Sequence, residues 1–199
     1  MTYFIKKSDD KILTEVWDSL IEFYDNIDKQ EIASKVPIGY HVNIYDPTKT
    51  YPDFIKNLKE YFNSDIYWQG LSFFEINDPG WGKHVDGTAS EPRKVFTGSC
   101  IWPIKNCSSE NITKWYEHTK GESIYKETDR FGQKNSGYFD FSDDSEFTLT
   151  DSTSIDGPTI IRTDVAHEVN SPNKTRVVAS WKIGSTEEIT WDKICDLYQ

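Results

Sequence analysis

From residue 66 to residue 184, apolar residues recur with period two or gather in short runs. That pattern constrains this chain more than any other. Side chains two apart on a strand share a face, and such a face must be buried against another layer. Strand candidates are "IYWQGLSFFEI" (66–76), "RKVFTGSCIWPI" (93–104), "EFTLTD" (146–151), "GPTIIRT" (157–163) and "TRVVASWKIG" (175–184). The beginning of the chain reads differently. Residues 9–29 place Ile12, Leu13, Val16, Leu20, Phe23, Tyr24 and Ile27 at helical spacing. "GYHVNIYD" (39–46) reads as a strand and "TYPDFIKNLKEYF" (50–62) as a second helix with Pro52 in its first turn. Residues 105–145 are polar with scattered aromatics, and the expectation there is short elements at best, with the segment acting as a lid. Helices followed by a β body imply an α+β, mainly β fold, with the helices packed on one face of a sandwich or barrel.

The chain's 199 residues suit one domain, 1–199. Within it, about 1–65 would be helical support and about 66–184 a β core carrying the polar insert. A net charge of -11 opposes nucleic acid and anionic membrane surfaces. Cys100, Cys107 and Cys195 lack C-x-x-C spacing, which suggests reduced thiols. The start shows no apolar signal run, and no stretch has the length of a membrane span, so a cytoplasmic location is expected. Asn111-Ile112-Thr113 fits a glycosylation sequon but reads as ordinary loop sequence without secretion. Oligomeric state and substrate identity are not legible.

Within "GWGKHVDGTAS" (81–91), His84 and Asp86 lie two apart. On a strand they would aim an imidazole and a carboxylate at one point; on the dipeptide alone, a polar turn is the favoured reading. His41 and His118 read as surface or core-edge residues. His167 is more informative. "VNSPNKT" resembles a hairpin turn, and a four-residue loop from Asn170 to Asn173 would pair His167 with Arg176. The last strand splits into an apolar face (Val177, Ala179, Trp181, Ile183) and a second face (Arg176, Val178, Ser180, Lys182). Two histidines and one aspartate on one face would suit Fe(II) with positions left open, and a nearby guanidinium would grip a carboxylate with a planar fork.

These residues resemble the Fe(II)/2-oxoglutarate-dependent dioxygenases, in particular small prolyl-hydroxylase-like and phage-type members. The likeness lies in H-x-D at His84-Val85-Asp86, the distal His167, Arg176 nine residues on, the "DPG" turn at 78–80, "CIWPIKNCSSENITKWY" (100–116) and "GPTIIRTDVAHEV" (157–169). It covers about residues 66–184. It implies a double-stranded β-helix (jelly-roll) core with the N-terminal helices packed on one sheet. It also implies Fe(II) held by His84, Asp86 and His167, the 2-oxoglutarate C5 carboxylate held by Arg176, and assistance from Ser180. Many members carry that serine two residues after the arginine, where Val178 stands here. The implied reaction consumes O2 and decarboxylates 2-oxoglutarate to succinate and CO2. It hydroxylates a peptide side chain or a small amino-acid-like substrate. Asp86 argues against halogenation, which needs a small residue there. Lys182 stands where nucleic-acid demethylating relatives carry a second arginine; a nucleic-acid enzyme would need a basic groove around Lys83, Arg93 and Lys94. Candidate pocket-wall aromatics are Trp68, Phe74, Trp81, Trp102 and Trp115. The alternative is a non-catalytic, cupin-like metal- or ligand-binding module of the same fold.

Overall fold

A computed structural model of the protein describes residues 2–26, 41–42, 56, 60, 72–76, 81–88, 95–130, 133–170, 176–183 and 189–197. In chain order its elements are β1 (Phe4–Lys6), α1 (Lys11–Asn26), β2 (His41–Val42), β3 (Ser72–Ile76), β4 (Trp81–Thr88), β5 (Gly98–Lys105), β6 (Ile112–Lys120), β7 (Ser123–Arg130), β8 (Gln133–Phe141), β9 (Glu146–Ser154), β10 (Thr159–Arg162), β11 (His167–Asn170), β12 (Arg176–Ile183) and α2 (Trp191–Leu197). The first sheet has the order β1-β10-β5-β12-β3-β2 and the second β7-β8-β4-β11-β6-β9. From β3 to β6 the chain alternates between the sheets, and from β9 to β12 it does so again. Every strand pair among the described residues is antiparallel. Eight strands wound in this way form the double-stranded β-helix, or jelly roll.

Alternation along the strands sorts two cores. On β12, Val177, Ala179, Trp181 and Ile183 face away from the second sheet and pack with Leu13, Leu20 and Tyr24 of α1, Cys100 and Trp102 of β5, and Trp191 and Ile194 of α2. Burial of each such large apolar side chain contributes about 1.5–3 kcal/mol. Helix α1 starts where Asp10 caps it, its Oδ1 accepting the Leu13 amide at 3.0 Å. Between the sheets, Val178, Ile101 and Ile161 meet Trp115 and Ile155. The helix expected over 9–29 and the packing of an N-terminal helix on one sheet are therefore seen, the helix as far as Asn26. Strand β1, which pairs with β10, and helix α2 are additional elements.

Two expectations need correction. The hairpin joining His167 to Arg176 does not form. β11 pairs with β4 and β6 in the second sheet, and β12 with β3 and β5 in the first. The chain therefore passes from one sheet to the other between them, so His167 and Arg176 approach the interior from opposite layers. The 105–145 segment is mostly regular strand: β6 is a central partner of β9 and β11, and β7 with β8 forms a hairpin that extends the second sheet beyond β4. Of the strand expected at 39–46, His41–Val42 are described; of the helix at 50–62, residues 56 and 60 are described, both helical. The rest of both, residues 66–71, the turn at 77–80 and the segment 171–175 lie outside the described residues. Among the described residues, no helix is long and apolar enough to cross a membrane.

Candidate metal centre

On β4, His84 and Asp86 point between the sheets, while Lys83 and Val85 point outward. The register then brings in the third ligand: His167 on β11 lies directly across from His84. The two imidazole centroids are 4.4 Å apart, and Asp86 Oδ1 is 3.7 Å from His84 Nε2. One ligand atom from each of the three residues lies within 4.8 Å of the others. Both histidines are buried, and the Asp86 side chain is only 13% exposed. The turn alternative for "HVD" gives way to a strand, and the three residues expected as ligands come together from two adjacent strands.

Hydrogen bonding fixes which nitrogen each ring offers. His84 Nδ1 lies 2.8 Å from the Gly82 carbonyl oxygen, and His167 Nδ1 lies 3.0 Å from that of Val165. A carbonyl can only accept, so each Nδ1 carries the proton and each Nε2 keeps its lone pair. Such outer hydrogen bonds set the ring orientation of a metal-binding histidine. Burial lowers the pKa of His84 against the raising effect of Asp86. Burial and the neighbouring His84 bring His167 down to about 3. Both rings are thus neutral near pH 7, the form a metal requires. Burial pushes the Asp86 carboxyl up, but Lys182, His167 and His84 together outweigh it and bring it down to about 2. The site therefore presents two neutral imidazoles and a carboxylate.

Asp86 is held from both sides. Its amide donates to the Thr163 carbonyl at 3.2 Å, and its carbonyl accepts the Phe96 amide at 3.0 Å. Lys182, on the interior face of β12, donates to Asp86 Oδ2. This contact leaves Oδ1, the oxygen nearer His84, for a metal. Two imidazoles and one carboxylate oxygen form the 2-His-1-carboxylate set that suits Fe(II) and leaves coordination positions open. The donor set therefore fits the ion.

Arg176 begins β12 on the same interior face as Val178 and is 1% exposed. Its Nε and Nη1 have no hydrogen-bond partner among the described residues. Burial lowers its pKa, opposed by the neighbouring Cys107 thiol. On β6, Thr113 shares the interior face with Trp115, and its buried Oγ1 also lacks a partner among the described residues. Thr113 pairs with Val169, next to the end of β11 that leads toward Arg176. Three polar atoms on two residues, without partners among the described residues, thus lie at one end of the interior, beyond the triad. Ser180 lies four residues further along β12, about 13 Å from Arg176 at strand rise. Its hydroxyl is 2.7 Å from that of Ser99.

The β7–β8 hairpin supplies side chains the sequence pattern did not single out. Tyr138 pairs with Asp86, and its ring stands edge-on to His84 with centroids 6.2 Å apart. Asp140 shares that face, pairs with Lys126 and acts electrostatically on His84. Of the candidate wall aromatics, Trp115 is buried between the sheets and opposes His167 in register. Trp102 does not line the site: it belongs to the core beneath α1, where its Nε1 donates to the Leu13 carbonyl at 3.1 Å. The side chains of Phe74 and Trp81, and all of Trp68, lie outside the description. His118 is outside the site, packed against Phe141 and Phe147. Lys83 points outward and pairs with Glu168 at 3.6 Å, while Arg93 and Lys94 lie outside the described residues. Asn111 is buried and accepts the Ser108 amide at 2.9 Å, a loop-structuring role.

No family model matches the sequence, and no curated protein does. Among solved structures, the chain is similar to viral collagen prolyl hydroxylase from Paramecium Bursaria Chlorella virus-1, in its 2OG complex. That likeness covers 93% of this chain and 97% of the other, at 10% sequence identity and a TM-score of 0.45. The jelly-roll winding and the His84–Asp86–His167 centre stand on this chain's own residues.

Proposed function

We propose that the chain is a non-haem Fe(II)/2-oxoglutarate-dependent dioxygenase that hydroxylates a peptide side chain or a small amino-acid-like substrate. The observation that carries this reading is Arg176. A buried guanidinium with orphaned N–H groups, in the same interior as a 2-His-1-carboxylate set, calls for an anion. A carboxylate satisfies it with charge-assisted hydrogen bonds, and the Thr113 hydroxyl adds another donor. A 2-oxo acid anchored there by its far carboxylate would direct its keto-acid end toward the triad.

His84, Asp86 and His167 would hold Fe(II), which supplies dioxygen activation coupled to decarboxylation of the keto acid. The chain's own contribution is positional. The Gly82 and Val165 carbonyls lock the two rings, Lys182 occupies one Asp86 oxygen, and Trp115 with Val178 keeps the interior dry. Tyr138 and the Lys126–Asp140 pair offer an aromatic face and both signs of charge beside His84, which supports an amino-acid-like substrate.

The test is an anaerobic visible spectrum after adding Fe(II) and 2-oxoglutarate, with His167→Ala as control. A weak charge-transfer band that requires both additions and vanishes in the control is expected. Absence of the band, with no 2-oxoglutarate binding by calorimetry, would overturn the reading in favour of a non-catalytic binding module.

A further inference from the structure

Just after β5 the chain reverses at Asn106, whose φ of 54° is in the left-handed region. Few residues other than glycine accept that conformation, and asparagine is among them. The reversal brings Cys107 back over β12, where its thiol donates to the Val177 carbonyl at 3.3 Å. The loop is secured from below by the buried Asn111, whose Oδ1 accepts from the Ser108 amide and hydroxyl. Cys107 is half-buried and packs against the cluster between the sheets that includes Val178, the next residue on the Arg176 face of β12, and its sulfur is near enough to act electrostatically on the Arg176 guanidinium. Cys100, by contrast, is wholly buried in the core beneath α1. So a thiol at the rim lies near a buried cation, two of whose nitrogens have no partner among the described residues.

We propose that Cys107 is an oxidative modification site that controls the anion site at Arg176. Its sulfinate takes the guanidinium that would otherwise hold the cosubstrate carboxylate. This inference rests on the reading of Arg176 given above. The oxidant is hydrogen peroxide. The Cys107 sulfur attacks one peroxide oxygen; the S–O bond forms as the O–O bond breaks. Sulfur loses two electrons, the peroxide gains them, and the thiol proton leaves with the departing oxygen as water, giving the sulfenic acid. A second peroxide repeats the step and gives the sulfinic acid, which ionises. That product carries two acceptor oxygens on a negative group, the same recognition chemistry as a carboxylate, and it is tethered beside Arg176. Occupation by sulfinate and by a free carboxylate are mutually exclusive, so each opposes the other.

The experiment treats the whole chain with hydrogen peroxide, maps the peptides and measures 2-oxoglutarate binding in the presence of Mn(II). Expected are two added oxygens at Cys107 and an affinity loss of at least about 30-fold, the scale of a lost buried charge pair. Cys107→Ala should keep its affinity after peroxide, and Cys107→Asp should show the loss without peroxide. Oxidation at Cys195 with Cys107 unmodified would overturn the proposal, and so would an oxidised chain or a Cys107→Asp variant that binds like the untreated protein. If the untreated protein binds no 2-oxoglutarate, the dioxygenase reading fails by itself, and melting temperature then decides the Cys107 proposal. Oxidation should raise the melting temperature of the parent chain and leave Arg176→Met unchanged. A parent chain that does not gain would sink it.

Discussion

Replacing Arg176 by methionine should make the ligand-free protein more stable. The guanidinium is 1% exposed, its Nε and Nη1 have no partner among the described residues, and burial disfavours its charge. Each unsatisfied buried donor costs about 1–3 kcal/mol, and exchanging buried charged groups for apolar ones of similar volume is worth up to about 1–4 kcal/mol. Methionine retains most of the side-chain length and packs flexibly. A gain of about 2 kcal/mol follows, which for a chain of this size is about 4–8 °C in melting temperature. The assay is thermal unfolding by circular dichroism without metal or 2-oxoglutarate, then with Mn(II) and saturating 2-oxoglutarate. At about 100 times Kd the cosubstrate adds about 2.7 kcal/mol to the parent chain; the variant should gain nothing from it. An Arg176→Met protein that melts below the parent would refute the reasoning, because it would mean that the guanidinium already has a partner worth more than its burial costs.

Acid should weaken the metal-free protein well above the carboxylate range. His167 is brought down to about 3 from its ordinary 6.5, so between those values the unfolded chain binds a proton that the folded one refuses. Stability is full above about pH 6.5 and is lost as pH falls toward 3; at pH 5 the loss from His167 alone is about 2 kcal/mol. Asp86 adds to it only below 3.8. Melting curves from pH 8 to pH 4 check this, and a flat profile between pH 7 and 5 would contradict it. Lys182→Met should leave Asp86 without its cationic partner in a buried setting and cost the metal-free protein about 3–5 kcal/mol. Mn(II) should restore much of that stability, and a variant as stable as its parent without metal would show that the ion pair contributes nothing.

The legible parts of this chain are those where one residue's neighbours in sequence determine its direction. The alternation of "TRVVASWKIG" placed Arg176 and Ser180 on the face opposite Trp181, and β12 shows that split. The spacing of His84 and Asp86 was readable on the same principle. Partnering was not. A polar turn with proline and asparagine between two strand-like runs serves equally for a hairpin and for a crossover between sheets, so "VNSPNKT" does not by itself say which. The polar segment hid its strands because β6 and β7 turn one face to solvent, leaving residues such as Glu117 and Ile124 exposed and few apolar repeats to count. Helix α2 buries Trp191 and Ile194 but is too short to show a helical period. Tyr138 reaches His84 only through the β4–β8 register, which no local pattern encodes.

The pairing of His84 with His167 across β4 and β11 also bears on how the protein acquires its metal. The two ligands on β4 leave the third 81 residues away (167 − 86), and the interior between the sheets is finished only when β12 has docked on β3 and β5. A nascent chain that has emerged only through β4 can offer just the two ligands at 84 and 86. Metal loading therefore comes after strand assembly rather than guiding it, and such long-range pairing is slow to form. Once loaded, the ion would tie β4 to β11 at mid-sheet, so its release and the opening of the second sheet become one event.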